Sequence, residues 1–441
     1  MFGYHVQTAL RSLRRTPVLT AVLISAIALG ICISTTFIAL RHVFEKDPLP
    51  GKSKTLFYVR LDNWDPSRAY VAEDPKSLPP QITYRDMRAL MRSTIPTRQT
   101  GAYIARLFVF PSSANVRPFR ETIRLAFGDF FPMFDVPFQY GSGWDKAGDA
   151  KPEQVIVIDA AMNQKLFGGG NSVGKSVRIA DRNFKVVGVI SPDWRPSYRF
   201  YDLNGGPVTP ESIFMPFNLT PVMHLQSNGN SDGWKDYGNA PEDLYNSEQT
   251  WIQFWVELPD AAKVQAYRDY VANYVRDEKT HGRFQRPLHV EINSMPELLE
   301  AFGFVPKTVK VMSVVSLLFL FVCSLNLVGL LLGKFLARVP EVSVRRALGA
   351  SKIHVFWQHV VECEVIGVAG GALGMLLSVG MLSVIAKVLQ QGNGNSVTGV
   401  SLDLEMVVVS IFLSLVAGLM AGVYPAWRIC SVAPAMQLKL Q

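Results

Sequence analysis

Four cysteines serve a chain of 441 residues, and none of them falls between residues 44 and 306. A disulfide framework inside that long middle region is therefore excluded, and at roughly 260 residues it can bury a core without staples. The seven histidines (His5, His42, His224, His281, His289, His354 and His359) are scattered with no metal-ligand spacing. Charge is missing altogether from four apolar runs, Thr16 to Leu40, Val311 to Gly333, Val365 to Ala386 and Met406 to Trp427. Each is long enough to cross a bilayer as a helix. All four cysteines lie in or beside these runs, at Cys32, Cys323, Cys363 and Cys430.

Two further absences orient the spans. The segment before the first run has Arg11, Arg14 and Arg15 and no acid, whereas residues 390–405 contain no Lys or Arg. Lys334, Arg338, Arg345, Arg346 and Lys352 crowd between the second and third runs against a single acid, Glu341, and Arg428 and Lys439 follow the fourth. The positive-inside rule places both termini and the Arg345 segment in the cytoplasm. The chain then divides into an interfacial helix (1–15), a first span (16–43), an external region (44–306), a second span (307–337), a basic cytoplasmic segment (338–354), a third span (355–389), a short external loop (390–404), a fourth span (405–428) and a cytoplasmic tail (429–441). The first run is about twice the length of a signal-peptide core, so retention is expected over cleavage. The net charge of +8 sits on the cytoplasmic segments, where it serves topology and lipid contact; a nucleic-acid partner is not expected.

What is present in the external region reads as an α+β domain. A strand is expected from Thr55, a helix over residues 81–92, a Trp- and Phe-rich strand from Thr250, a helix capped by Asp260 with Val264, Tyr267, Val271, Tyr274 and Val275 as its stripe, and a strand through Val290 and Ile292. These form two βαβ-like halves, about 50–120 and 248–300, around a β-rich insertion at about 121–247. Within the insertion, Val155 to Ile158 reads as a strand and Asp159 to Phe167 as a helix, with a hairpin turn at Asp181–Asn183. The aromatics from Phe127 to Phe138 are assigned to core rather than to a greasy binding site. Residues 194–248, rich in proline, read as loop, either inert elaboration or a place for partner specificity.

Gly169–Ser176 fits the P-loop spacing GxxxxGK[ST], but that site needs a strand before it and a helix after it. Here a helical stretch precedes and β-branched alternation follows, so the segment is expected to be a turn. No Walker B run and no LSGGQ-like stretch accompany it, and nucleotide, metal and catalytic residues are expected to be none.

The basic segment Glu341, Val344, Arg345, Arg346, Ala347, Leu348, Gly349, Ala350 and Lys352 is amphipathic by spacing. Val344, Ala347, Leu348 and Ser351 form the face expected to pack while the cations stay wet. Glycines at four-residue spacing (Gly367 with Gly371, Gly370 with Gly374, Gly418 with Gly422) are helix-packing positions. Asn326, in mid-span, is expected to hydrogen-bond inside the bundle, and Glu362 or Glu364 to pair with Arg or Lys.

The sequence EVSVRRALGA at Glu341–Ala350 resembles the EIGIRRALGA block of the MacB/FtsX superfamily of ABC-transporter permeases. TALRSLRRTPVLTAVLISAIALG near the start, the 127–190 stretch with LFGGGNSVGKSVRI and FKVVGVI, and VYPAWRICSVAPAMQLKL near the end are similar to the same family. The resemblance implies a four-helix membrane subunit of the MacB type (type VII) in the inner membrane, with a porter-like periplasmic domain. It implies a separate cytoplasmic ATPase that binds ATP and Mg and docks on Glu341–Lys352. It further implies a second permease chain, identical or homologous, and a periplasmic adaptor and outer-membrane channel. The expected function is mechanotransmission: ATP hydrolysis inside moves the periplasmic domain to export a periplasmic substrate. The alternatives are an FtsX-like scaffold that regulates cell-wall hydrolases and a lipoprotein-release permease.

Overall fold

A computed structural model describes residues 2–45, 47–112, 116–151, 153–194, 196, 198–204, 208–304, 307–393 and 404–431. Most of the expected 390–404 loop and the tail beyond 431 lie outside the described residues. The chain forms two compact units, a helical one from Met1–Lys46 with Val305–Gln441 and an αβ one over Asp47–Phe304.

The helical unit begins with α1 (Phe2–Arg15) and α2 (Pro17–Glu45), where a proline in the first turn has a preset φ and no N–H to lose. The αβ unit follows with β1 (Leu56–Leu61), β2 (Ile82–Thr83), α3 (Tyr84–Leu90), β3 (Arg98–Phe110), β4 (Phe119–Ala126), α4 (Phe130–Met133), β5 (Phe138–Gly141), α5 (Lys146–Ala150), β6 (Val155–Ile158), α6 (Ala160–Phe167), β7 (Ser176–Ile179), β8 (Arg182–Ile190), β9 (Ile213–Pro216), α7 (Leu219–Val222), α8 (Pro241–Asn246), β10 (Thr250–Glu257), α9 (Ala261–Thr280), β11 (Val290–Ser294) and α10 (Met295–Ala301). The chain then returns to the helical unit as α11 (Lys307–Leu336), α12 (Val339–Ala347), α13 (Lys352–Asn393) and α14 (Leu404–Ser431).

The outer strands of the αβ unit pair in the order β11-β1-β10-β3, all antiparallel. That is two interleaved split βαβ halves, β1-α3-β3 and β10-α9-β11. Asp260 caps α9 by accepting from Lys263 N at 2.8 Å, and Tyr267, Val271 and Val275 line its buried face. The inserted strands close on themselves. β3 pairs with β4, β4 with β9, β9 with β6, β6 with β8, β8 with β7, and β7 returns to β3. A six-stranded ring leaves no open edge, and Val109, Ile123, Ile156, Ile158, Val177, Phe184 and Met215 fill it.

Three expectations are corrected here. A boundary at residue 121 falls inside β4, and the junction lies inside β3: its first half hydrogen-bonds β10 and its second half β7, because a 13-residue strand outreaches one sheet. The hairpin turn is Ala180–Asp181, since Ile179 pairs with Arg182, and Ala180 takes the positive φ of 53°. The 194–248 stretch is not simply loop. It contributes β9 to the ring and buries Tyr198, Phe200 and Tyr201. The aromatics Phe127, Phe130, Phe131 and Phe134 are buried, as their mutual edge-to-face contacts require.

Candidate functional site

Four helices of the helical unit, α2, α11, α13 and α14, are long and apolar enough to cross a membrane. α13 packs against α2 and α14, and α11 packs against the same two. The glycine stripes of α13 divide between its neighbours. A Cβ on Gly370 would stand 2.7 Å from Ile27, and one on Gly374 2.7 Å from the Ala28 carbonyl, both on α2; Gly367 and Gly371 meet Ser414 on α14 in the same way. From α14, Gly418 faces Glu364 and Gly422 faces Cys363. At Gly374 and Gly367 the nearest neighbour is a backbone carbonyl, which cannot swing aside as a side chain can.

The sequence between α11 and α13 is held at its base by buried charge. Lys334 Nζ lies 2.7 Å from Glu362 Oε1, with Arg338 Nη1 3.5 Å from Oε2. Ser12 of α1 donates to the same carboxylate and accepts from Arg338. His359 stands one turn earlier, 3.7 Å away. One carboxylate thus ties α1, the end of α11 and α13 together, and its several partners offset the desolvation of the charges. Sequence spacing pointed to Glu362 or Glu364 as the paired acid; the structure selects Glu362. The partners Lys334 and Arg338 were visible only as topology-setting cations, because nothing in a linear sequence shows which acid they meet across the bundle.

Above this knot stands α12. Pro340 lies in its first turn, and Glu341 pairs with Arg345 at 2.6 Å across one turn. Arg346 Nη1 donates to the Cys430 carbonyl at 3.1 Å, tying α12 to the end of α14. Gly349, at φ +102°, closes the turn, with Ala350 N bonded to the Arg345 carbonyl. Lys352 then opens α13.

The expected packing face is reversed. Val339, Val342 and Ser343 are buried in the bundle, while Val344, Ala347, Leu348 and Ser351 are exposed. Leu348 is 84% exposed and Val344 51%. The physical reason is tether geometry: the Lys334–Arg338–Glu362 knot precedes α12 and fixes its rotation, so the residues nearest the knot turn inward. What remains is a short helix that offers apolar side chains beside Arg345. Asn326 is also corrected: it is exposed on α11, on a face where Cβ atoms at Gly329 and Gly333 would meet nothing within 4 Å.

The P-loop-like segment lies in the αβ unit between α6 and β7, so a helix precedes it and a strand follows it. Lys175 Nζ stacks over the Phe167 ring at 5.4 Å.

The sequence matches the pattern of the MacB-like periplasmic core domain over residues 20–274 and that of the FtsX-like permease C-terminal region over residues 313–434. Among curated proteins it is similar to the macrolide export ATP-binding/permease protein MacB of Chlorobium luteolum, at 22% identity over 66% of this chain and 38% of the relative. It is also similar to the uncharacterized ABC transporter permease YvrN of Bacillus subtilis, at 19% identity over 82% of each chain. The chain spans less than half the length of the MacB relatives that it matches. Among solved structures, the periplasmic region of MacB from Actinobacillus actinomycetemcomitans aligns with 58% of the chain and 95% of that structure, at 12% identity and a TM-score of 0.37.

Proposed function

The chain belongs to the family of ABC transporter permeases that join a MacB-like periplasmic core domain to an FtsX-like permease C-terminal region, and we propose that it is the subunit through which a separate cytoplasmic ATPase works on a periplasmic substrate. The observation that carries this reading is the exposed apolar face of α12, Val344 and Leu348, beside Arg345 on a helix tied to the end of α14 by Arg346 and flanked by the Lys334–Glu362 pair. An exposed Leu next to fixed cations in a membrane protein fits a docking partner with an apolar groove and an acidic rim. ATP and Mg belong to that partner. Closure of the ATPase would push α12, and the Glu362 knot would pass the push to α1, α11 and α13. Because α2 and α11 are the helices that the chain joins to the αβ unit, they would carry it there.

A second permease chain would lie against α11, where Asn326, Gly329 and Gly333 share the open face. An asparagine turned toward lipid is costly, and small neighbours let a second helix come near enough to bond it. The basic segments would then face the cytoplasm, in an inner-membrane protein with both termini inside. Export of a periplasmic substrate through an adaptor and an outer-membrane channel completes the reading. The match of the periplasmic core pattern over more than half of the chain favours transport over a hydrolase-regulating scaffold.

Gentle affinity purification of the chain from native membranes, followed by mass spectrometry, tests this. An ATPase in stoichiometric amount, with an adaptor and an outer-membrane channel, is the expected result. A cell-wall hydrolase or a lipoprotein carrier in their place would replace the export reading, and recovery without any ATPase would overturn it.

A further inference from the structure

The outer face of the β-ring is covered at one end and bare at the other. On β4, Arg120, Thr122 and Arg124 alternate onto this face, opposite the buried Ile123 and Leu125. At Arg124 the chain covers its own sheet. Asp202 and Glu211 lie over the strand, 2.8 and 2.6 Å from Arg124 Nη2. Gln253 of β10 accepts from Nη1 at 3.1 Å, and Arg124 is fully buried. The carboxyl of Glu211 is held down at about 2 against its burial by the charges of Arg124 and Arg199.

Toward the other end of the same face nothing in the described chain covers the sheet. Arg120 pairs across from Phe108 on β3, and Phe110 from Arg178 on β7. The guanidinium of Arg120 lies 5.3 Å from the Phe108 ring centroid, and that of Arg178 4.2 Å from Phe110. Arg106 on β3 and Lys185 on β8 continue the row, both exposed, and Phe108 is 49% exposed. The strand positions that share this register on β3, β4, β7 and β8 include no aspartate or glutamate; Glu121 belongs to the opposite register of β4.

We infer that this face docks an acidic segment of another protein, its carboxylates laid across β4, β3 and β7 as those of Asp202 and Glu211 are laid over Arg124. Two features carry the inference. Stacking on a phenyl ring holds a guanidinium plane in place, so its donors are already ordered for carboxylates and little side-chain entropy remains to be lost on binding. The chain also displays the chemistry that satisfies this row: where the face is covered, carboxylates meet the arginine. The inference stands apart from the ATPase reading, because all its residues lie in the αβ unit.

The test places a photo-crosslinking residue at Ser176 or Asn183, both exposed on this face, in the full chain in native membranes. The expected adduct is a carboxylate-rich peptide of another protein. Its yield should fall about tenfold in an Arg106→Glu, Arg120→Glu, Arg178→Glu variant and persist when the same three residues become Lys. Converting the captured carboxylates to Lys should restore the yield of the Glu variant. Thermal melting of both variants should match the parent, since all three arginines are exposed. Adducts with lipid or glycan alone, a protein adduct indifferent to the charge reversal, or no adduct would each overturn the inference.

Discussion

Lys334 near the end of α11 and Glu362 in α13 close a 2.7 Å ion pair with both side chains only 2% exposed. The pair joins the two helices on either side of α12, so the short helix is a loop with its ends nailed together. Among the described residues Glu362 is the only ion-pair partner of Lys334. A Glu362→Leu change should therefore strand a buried cation and cost about 3 kcal/mol. Adding Lys334→Met should return most of that. Thermal unfolding of the two variants in detergent measures it, and an undiminished melting temperature for Glu362→Leu alone would sink the claim that the knot holds the bundle.

Leu348 touches solvent over most of its surface, so Leu348→Asp should leave the melting temperature unchanged. It should lower the stimulated hydrolysis of the reconstituted ATPase complex by about tenfold, the range of an anchor side chain lost from an interface. Arg345→Glu should lower it too, and more so at low salt, where an interfacial charge is least screened. Full stimulation in both variants would remove α12 from the docking surface.

Glycines on α13 and α11 should respond oppositely to the same substitution. Gly374→Val would drive a side chain into the Ala28 carbonyl and Ile31 of α2 and should cost about 1–3 kcal/mol, read as a lower melting temperature. Gly329→Val meets open space within one chain; the folded chain should keep its stability while the mass measured by light scattering drops from two copies to one. A dimer that survives Gly329→Val and Asn326→Leu together would place the second copy elsewhere.

Asp149 supplies a pH dependence in the αβ unit. Its carboxyl is pushed up to about 6, chiefly by burial, against bonds from Gly128 N and Trp144 Nε1 that favour the charged form. A raised acid binds its proton more tightly in the folded state. Its contribution is complete below the unfolded value near 3.8 and is lost as the pH rises through about 6. Stability should fall by about 2–3 kcal/mol across that window, and Asp149→Asn should flatten the slope. Denaturant titrations of the full chain between these pH values would show it; parallel curves for parent and variant would rule Asp149 out as the source.

Much of this molecule could be read one residue at a time. The four spans follow from length and apolarity, which act locally along the chain, and Val155–Ile158, the helix from Asp159 and the Asp260 cap were legible because short apolar runs and capping depend on near neighbours. The rotation of α12 was not legible. The pattern Val344, Ala347, Leu348, Ser351 has helical spacing, but an amphipathic face does not say whether a bundle or a partner covers it. Asn326 failed for a related reason: a polar residue in a span must find a partner, yet sequence cannot say on which side of the helix that partner stands. The barrel was hidden because its closing contact, β7 on β3, joins residues about seventy positions apart.

By itself the sequence determined the membrane class, the split αβ domain and the basic segment between the second and third spans, since charge, hydropathy and period are properties of the chain before it folds. Tertiary structure alone decided which acid neutralises Lys334, which face of α12 is left open, and that Arg124 is covered by carboxylates while Arg120 and Arg178 are not. Those outcomes depend on what long-range packing brings within a few ångströms, where ion pairs and hydrogen bonds act and sequence separation has no bearing.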